Sequence, residues 1–125
     1  MNIRTLLTTV AAALLTLTGT LTAAAPAGAA PCPNGSFCAW TEADYQGQQE
    51  SWKSSDREWD ATLASNDSSW ANHGIETEGV PSHVRIYDEA ELGGDMTLCL
   101  SPGQEVSTDA TADNRGSSHE WATSC

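Results

Sequence analysis

The chain has 125 residues, of which 17 are acidic, five are basic and four are cysteine, for a net charge of −12. Nucleic acid and anionic membrane surfaces are excluded as partners by that charge, because both bind basic faces. The cysteines contain no C-x-x-C pair, which argues against a zinc site and for disulfides.

In chain order, Arg4 is the only early charge, an apolar run diluted by threonines follows from Leu6 through Leu17, and small residues occupy Ala23 to Ala30. That order predicts a secretory signal peptide over 1–30, cut near Ala29 or Ala30 behind the Ala27-Gly28-Ala29 triplet. Its apolar core is too short for a membrane span of about 20 residues. A single secreted, extracellular domain over 31–125 is therefore expected, without a membrane anchor. Loss of Arg4 leaves four basic residues against 17 acidic ones, a net charge of −13. Solubility accounts for most of that charge, and a Ca²⁺ site or a basic partner is the sharper alternative.

Cys32, Cys38, Cys99 and Cys125 all lie in the secreted part. Two disulfides are expected, with three connectivities open; Cys32–Cys38 with Cys99–Cys125 is favoured. By loop entropy these would contribute ~2.4 and ~3.5 kcal/mol.

No long stretch of 31–125 has apolar residues at helical spacing, and its periodic segments are short and separated by Gly, Pro, Asn, Asp and Ser. The fold class is all-β. Strands are predicted over Phe37 to Thr41, Glu50 to Lys53, Ser69 to Ala71, His83 to Tyr87, Met96 to Leu100, Glu105 to Ser107 and Ser118 to Trp121. Asp56 to Leu63 reads equally as a helical turn or a bent strand.

An internal repeat organises these strands. The segment from Trp40 to Gly47 aligns without gaps on that from Tyr87 to Gly94, matching aromatic with aromatic, Glu-Ala with Glu-Ala and Gly with Gly. Further on, Ser68-Ser69-Trp70 is echoed by Ser117-Ser118 with Trp121. Each unit reads as a folded hairpin with an aromatic at the strand end and, seven residues later, a glycine that takes positive φ in the bend. Two such motifs, at about 37–75 and 83–125, are the economical explanation.

These residues resemble the doubled Greek-key motif of βγ-crystallins, in the aromatic-x6-Gly pattern, the serines Ser51 and Ser101, and the late Asp113-Asn114-Arg115-Gly116-Ser117-Ser118. The opening Cys32-Pro33-Asn34-Gly35-Ser36-Phe37-Cys38 is similar to the start of the secreted bacterial metalloproteinase-inhibitor family, which uses one such domain. The resemblance implies a disulfide-braced, two-motif Greek-key β-sandwich of eight strands, with Trp40, Trp70, Tyr87 and Trp121 mainly in its core.

Nothing points to catalysis. No G-x-S-x-G elbow, H-E-x-x-H helix or phosphate loop occurs, and His73, His83 and His119 fall in different segments. Asn34-Gly35-Ser36 and Asn66-Asp67-Ser68 match glycosylation sequons, tripeptides that also arise by chance.

Two kinds of site follow from the resemblance. The first is a Ca²⁺ site built from the side chain of Ser117, the Asn114 and Arg115 backbone, and Glu42 from the first motif, with an Asx-turn at Asp113 and Asn114 as the structural alternative. In the second copy of that site only Glu89 and Ser68 survive, because Ala64-Ser65 stand where two Asn or Asp residues are called for. The second kind is an inhibitory bond at Cys99–Leu100, where a tethered cysteine precedes the large apolar residue that thermolysin-like proteases favour after the scissile bond. Alternation along the strand offers a competing reading, in which Leu98 and Leu100 share a core face.

The resemblance thus implies a peptidase inhibitor of extracellular metalloproteinases, monomeric and needing no cofactor, whose partner is the protease. A Ca²⁺-binding structural or stress-protective module is the alternative.

Overall fold

The computed structural model describes residues 30–125, together with Gly19. The predicted signal peptide falls almost wholly outside the described residues.

Among the described residues seven antiparallel strands form two sheets: β1 (Phe37–Glu42), β2 (Gln46–Trp52), β3 (Ser69–Asn72), β4 (His83–Glu89), β5 (Gly93–Leu100), β6 (Glu105–Val106) and β7 (Ser118–Ala122). All seven predicted strands are present. One sheet runs β2-β1-β3-β6 and the other β5-β4-β7. β6 belongs to the second motif but pairs with β3 of the first. In return, Asp56 of the first motif bridges His119 on β7 of the second.

That single bridge stands where the resemblance implies an eighth strand. A full strand cannot form because the chain turns at Asp56, whose carboxylate accepts from Trp52 Nε1 at 3.0 Å and from the Glu58 amide at 3.0 Å. Trp59 is then free to swing inward, where it is buried.

The repeat is reproduced in backbone detail. Between β1 and β2, Asp44 and Tyr45 take φ of 57° and 61°; between β4 and β5, Glu91 and Leu92 take 60° and 58°. Such left-handed pairs are costly for side-chain-bearing residues, so each hairpin needs holding from outside. Ser69 supplies this in the first motif, its Oγ donating to the Glu42 carbonyl at 2.7 Å and accepting from the Tyr45 amide at 3.0 Å. Ser118 does the same in the second motif, with the Glu89 carbonyl and the Leu92 amide. Gly47 and Gly94 close the bends at φ of 79° and 71°. An added Cβ would lie 2.3 Å from the Thr41 hydroxyl at the first and 2.0 Å from the Asp88 carboxylate at the second, so both positions require glycine.

One detail of the repeat is corrected. Ala39 faces Trp70 and Ile86 faces His119 across their strand pairs, so the counterpart of Trp70 is His119; Trp121, opposite Val84, is the counterpart of Asn72, opposite Phe37. The sequence comparison matched tryptophan with tryptophan, whereas the two-residue period of a strand fixes the equivalence.

The core lies between the sheets and is built on Phe37, Ala39, Trp59, Leu63, Trp70, Val84, Ile86, Leu100 and Ala112. β1 is buried on both faces, because Cys38 and Trp40 form a second small cluster with Ala71 beneath the start of the domain. Trp40 and Trp70 are thus core residues as expected, while Tyr87 and Trp121 are only half-buried. Both disulfides are present in the favoured pairing, Cys32–Cys38 and Cys99–Cys125, each with a Cα separation of 5.8 Å. The first holds the segment before β1 against the outer face of its sheet, and the second fastens the C-terminus to β5.

Candidate functional site

Around the expected calcium site, hydrogen bonds fix the backbone of Ser117 and the side chains of Asp113 and Asn114. The Asp113 carboxylate accepts from Ser68 Oγ, and Asn114, at φ 58°, reaches back to Asp113 through its side-chain amide at 3.2 Å. Ser117 is fixed in the second motif, its amide donating to the Tyr87 carbonyl at 2.8 Å. Glu42 lies in the first motif, and no hydrogen bond joins it to Asn114, Arg115 or Ser117 among the described residues.

The Arg115 guanidinium sits 2.9 Å from Asp88 and 3.9 Å from Asp95. It holds the Asp88 carboxyl below the usual carboxylate range, helped by the Asp95 amide. A covalently attached cation therefore already serves these carboxylates. Among the described residues no three His, Cys, Asp or Glu side chains converge on a point that could hold a metal ion. The expected calcium site at Ser117, Glu42 and the Asn114 and Arg115 carbonyls is a separate donor set, built mainly of neutral oxygens.

Leu100, at the bond expected to be inhibitory, lies in the core. Leu100 is fully buried on β5, paired with Val84, and its carbonyl accepts from the Asn72 side chain at 3.0 Å. Alternation sends the Leu100 side chain inward and Cys99 outward to its disulfide, the arrangement of the competing core reading.

The exposed features lie elsewhere, in the connector between the motifs. Residues 75–81 all face solvent, with Ile75 60% and Val80 51% exposed. The connector is clipped at its base by one fully buried side chain. Asn72 accepts from the Gly74 amide at 2.8 Å and donates to the Ser82 carbonyl at 2.8 Å, so a single amide group ties both ends together. Gly74 passes so close to Trp121 that an added Cβ would lie 2.6 Å from the ring, which excludes any other residue there. A Val80-to-Thr77 turn bond at 3.0 Å shapes the tip. Beneath it runs an open groove of about 580 Å³ bordered by Ile75, Val80, Pro81, Trp121 and Lys53.

Sequence reasoning passed over this segment because Ile-Glu-Thr-Glu-Gly-Val-Pro has neither strand nor helix period. Its available signal was two large apolar residues within a polar stretch closed by Gly-Val-Pro.

The architecture is that of a βγ-crystallin domain. It is similar to a domain solved in tracing the evolution of the eye-lens βγ-crystallin fold, with TM-score 0.61 and 16% identity over 74% of this chain and 91% of that one. It is similar also to a βγ-crystallin from an archaeon, with TM-score 0.55 and 22% identity over 71% and 99% of the two chains, and to one from Ciona intestinalis, with TM-score 0.55 and 15% identity over 70% and 99%. No curated protein matches the sequence. The chain belongs to peptidase inhibitor family I36, whose model matches residues 25–99. Family membership assigns it to inhibitors of proteases and not to enzymes, and its two disulfides suit an oxidising, extracellular setting.

Proposed function

We propose that the protein is secreted and inhibits extracellular metalloproteinases by presenting a rigid surface segment to the protease cleft. The match to the inhibitor family over residues 25–99 carries this reading. Rigidity supports it, because a segment held in its bound shape loses little entropy on docking and resists release. Two disulfides and the clipped hairpins supply that stiffness.

Titration of the purified, oxidised protein against thermolysin, with subtilisin as the comparison and excess calcium throughout for the protease's own needs, tests the proposal. Stoichiometric loss of thermolysin activity with subtilisin spared is expected. Loss of both activities would leave an inhibitor without metalloproteinase preference, and loss of neither would overturn the reading.

The βγ-crystallin architecture supports a second reading, a structural or stress-protective module that binds Ca²⁺.

A further inference from the structure

Resting on the inhibitor reading, we propose that the connector at 75–81, and not Cys99–Leu100, is the segment that enters the protease cleft, with Ile75 and Val80 as its apolar anchors. Three large hydrophobic side chains are strongly exposed among the described residues: Ile75, Val80 and Met96. Two of them stand on this one segment, five residues apart. Both border the same open groove with Pro81 and Trp121, which makes one continuous apolar surface of them.

The segment has the mechanical character of an inhibitory loop. Its two ends are tied through the buried Asn72 amide, its entry is pinned at Gly74 against Trp121, and its tip is a hydrogen-bonded turn. The backbone between is left exposed, so it can meet a partner without unfolding anything. Leu100, by contrast, is core.

Charge selects the kind of cleft. Glu76 and Glu78 stand between the two anchors, both exposed, and neither forms an ion pair among the described residues. A segment with two carboxylates between apolar anchors complements a cleft with apolar subsites around a cationic centre. A metalloproteinase has such a centre in its catalytic zinc, and a serine protease does not.

Three variants of the purified, oxidised protein, each titrated against thermolysin, test the assignment: Ile75→Asp with Val80→Asp, Glu76→Gln with Glu78→Gln, and Met96→Asp on β5. The apolar pair is expected to weaken inhibition roughly tenfold or more without lowering the melting temperature. The glutamate pair is expected to weaken it and to reduce its dependence on salt, and Met96→Asp is expected to change nothing. If the wild-type protein inhibits and both connector variants keep full potency, the connector assignment is overturned while the inhibitor reading stands. If the wild-type protein itself leaves thermolysin untouched, the inhibitor reading falls and the assignment falls with it.

Discussion

The Trp59 indole N–H donates to Nδ1 of His119 at 2.9 Å, joining residues 60 positions apart in a fully buried contact. An indole nitrogen only donates, so Nδ1 must accept and the ring proton sits on Nε2, which donates to the Ser54 carbonyl at 3.0 Å. Phe37 and Trp52 flank the imidazole at centroid distances of 4.8 and 4.9 Å. A second ring proton would point at the Trp59 N–H inside an aromatic cage, and burial accordingly lowers the His119 pKa from 6.5 to about 4.

A pH dependence follows with a definite sign. His119 is neutral in the fold, while in the unfolded chain it titrates near 6.5. Between those two values the unfolded state binds the extra proton, so stability is full above about pH 6.5 and falls as pH drops toward 4. A shift of this size is worth about 3 kcal/mol. Urea midpoints measured from pH 7 to pH 4 should decline for the wild type, and His119→Gln should remove most of the slope while lowering stability at neutral pH. An equal slope in both proteins would reject the assignment.

Asp67 is the second buried ionisable group that matters, accepting from Trp70 Nε1 at 2.7 Å and from the Gly116 amide at 2.9 Å. Desolvation raises its pKa, and these hydrogen bonds oppose the rise. A raised carboxyl pKa makes the folded state the better proton binder, so this residue alone would lose stability with rising pH through the acid range, opposite to His119. Asp67→Ala strands two donors and should cost roughly 2 to 4 kcal/mol at neutral pH, readable as a lowered melting temperature. A change below half of that would mean water replaces the carboxylate.

Leu100→Ala should behave as a core truncation, destabilising by about 2 to 5 kcal/mol, with inhibition per folded molecule unchanged. If instead potency drops while the melting temperature holds, the buried placement of Leu100 is wrong.

Arg115 gives a direct handle on calcium. With the guanidinium on Asp88 and Asp95, melting temperatures in EDTA and in excess calcium should coincide for the wild type. Arg115→Gln removes the resident cation, and any calcium response should emerge only in that variant. A calcium-dependent rise in the wild-type protein would instead support the metal reading.

Much of this fold is legible in the sequence because its signals are local. The aromatic-x6-Gly spacing marks both hairpins, since the left-handed bends at Gly47 and Gly94 are met by one residue type. Strand positions follow from alternation, and the presence of two disulfides, though not their pairing, from an even cysteine count in a short chain. What escaped depends on contacts distant in sequence. Nothing local in the sequence sets His119 apart from the other histidines until Trp59 and Ser54 are seen around it. Asp67 looks like part of a sequon and Asn72 falls just past the strand predicted over Ser69 to Ala71, yet each is fully buried and bonds across the sandwich. Leu100 was readable either way, and only the location of the core decides between cleft and interior.

Because β6 completes the sheet of the first motif while Asp56 reaches into that of the second, neither half owns all of its own edges. A cut between the motifs would leave two pieces still clasped, each carrying a strand or bridge that the other needs. Losing one half exposes the other, so the molecule comes apart as a whole or not at all. In a protein that spends its working life against proteases, this reciprocity means that a single nick need not begin a progressive dismantling.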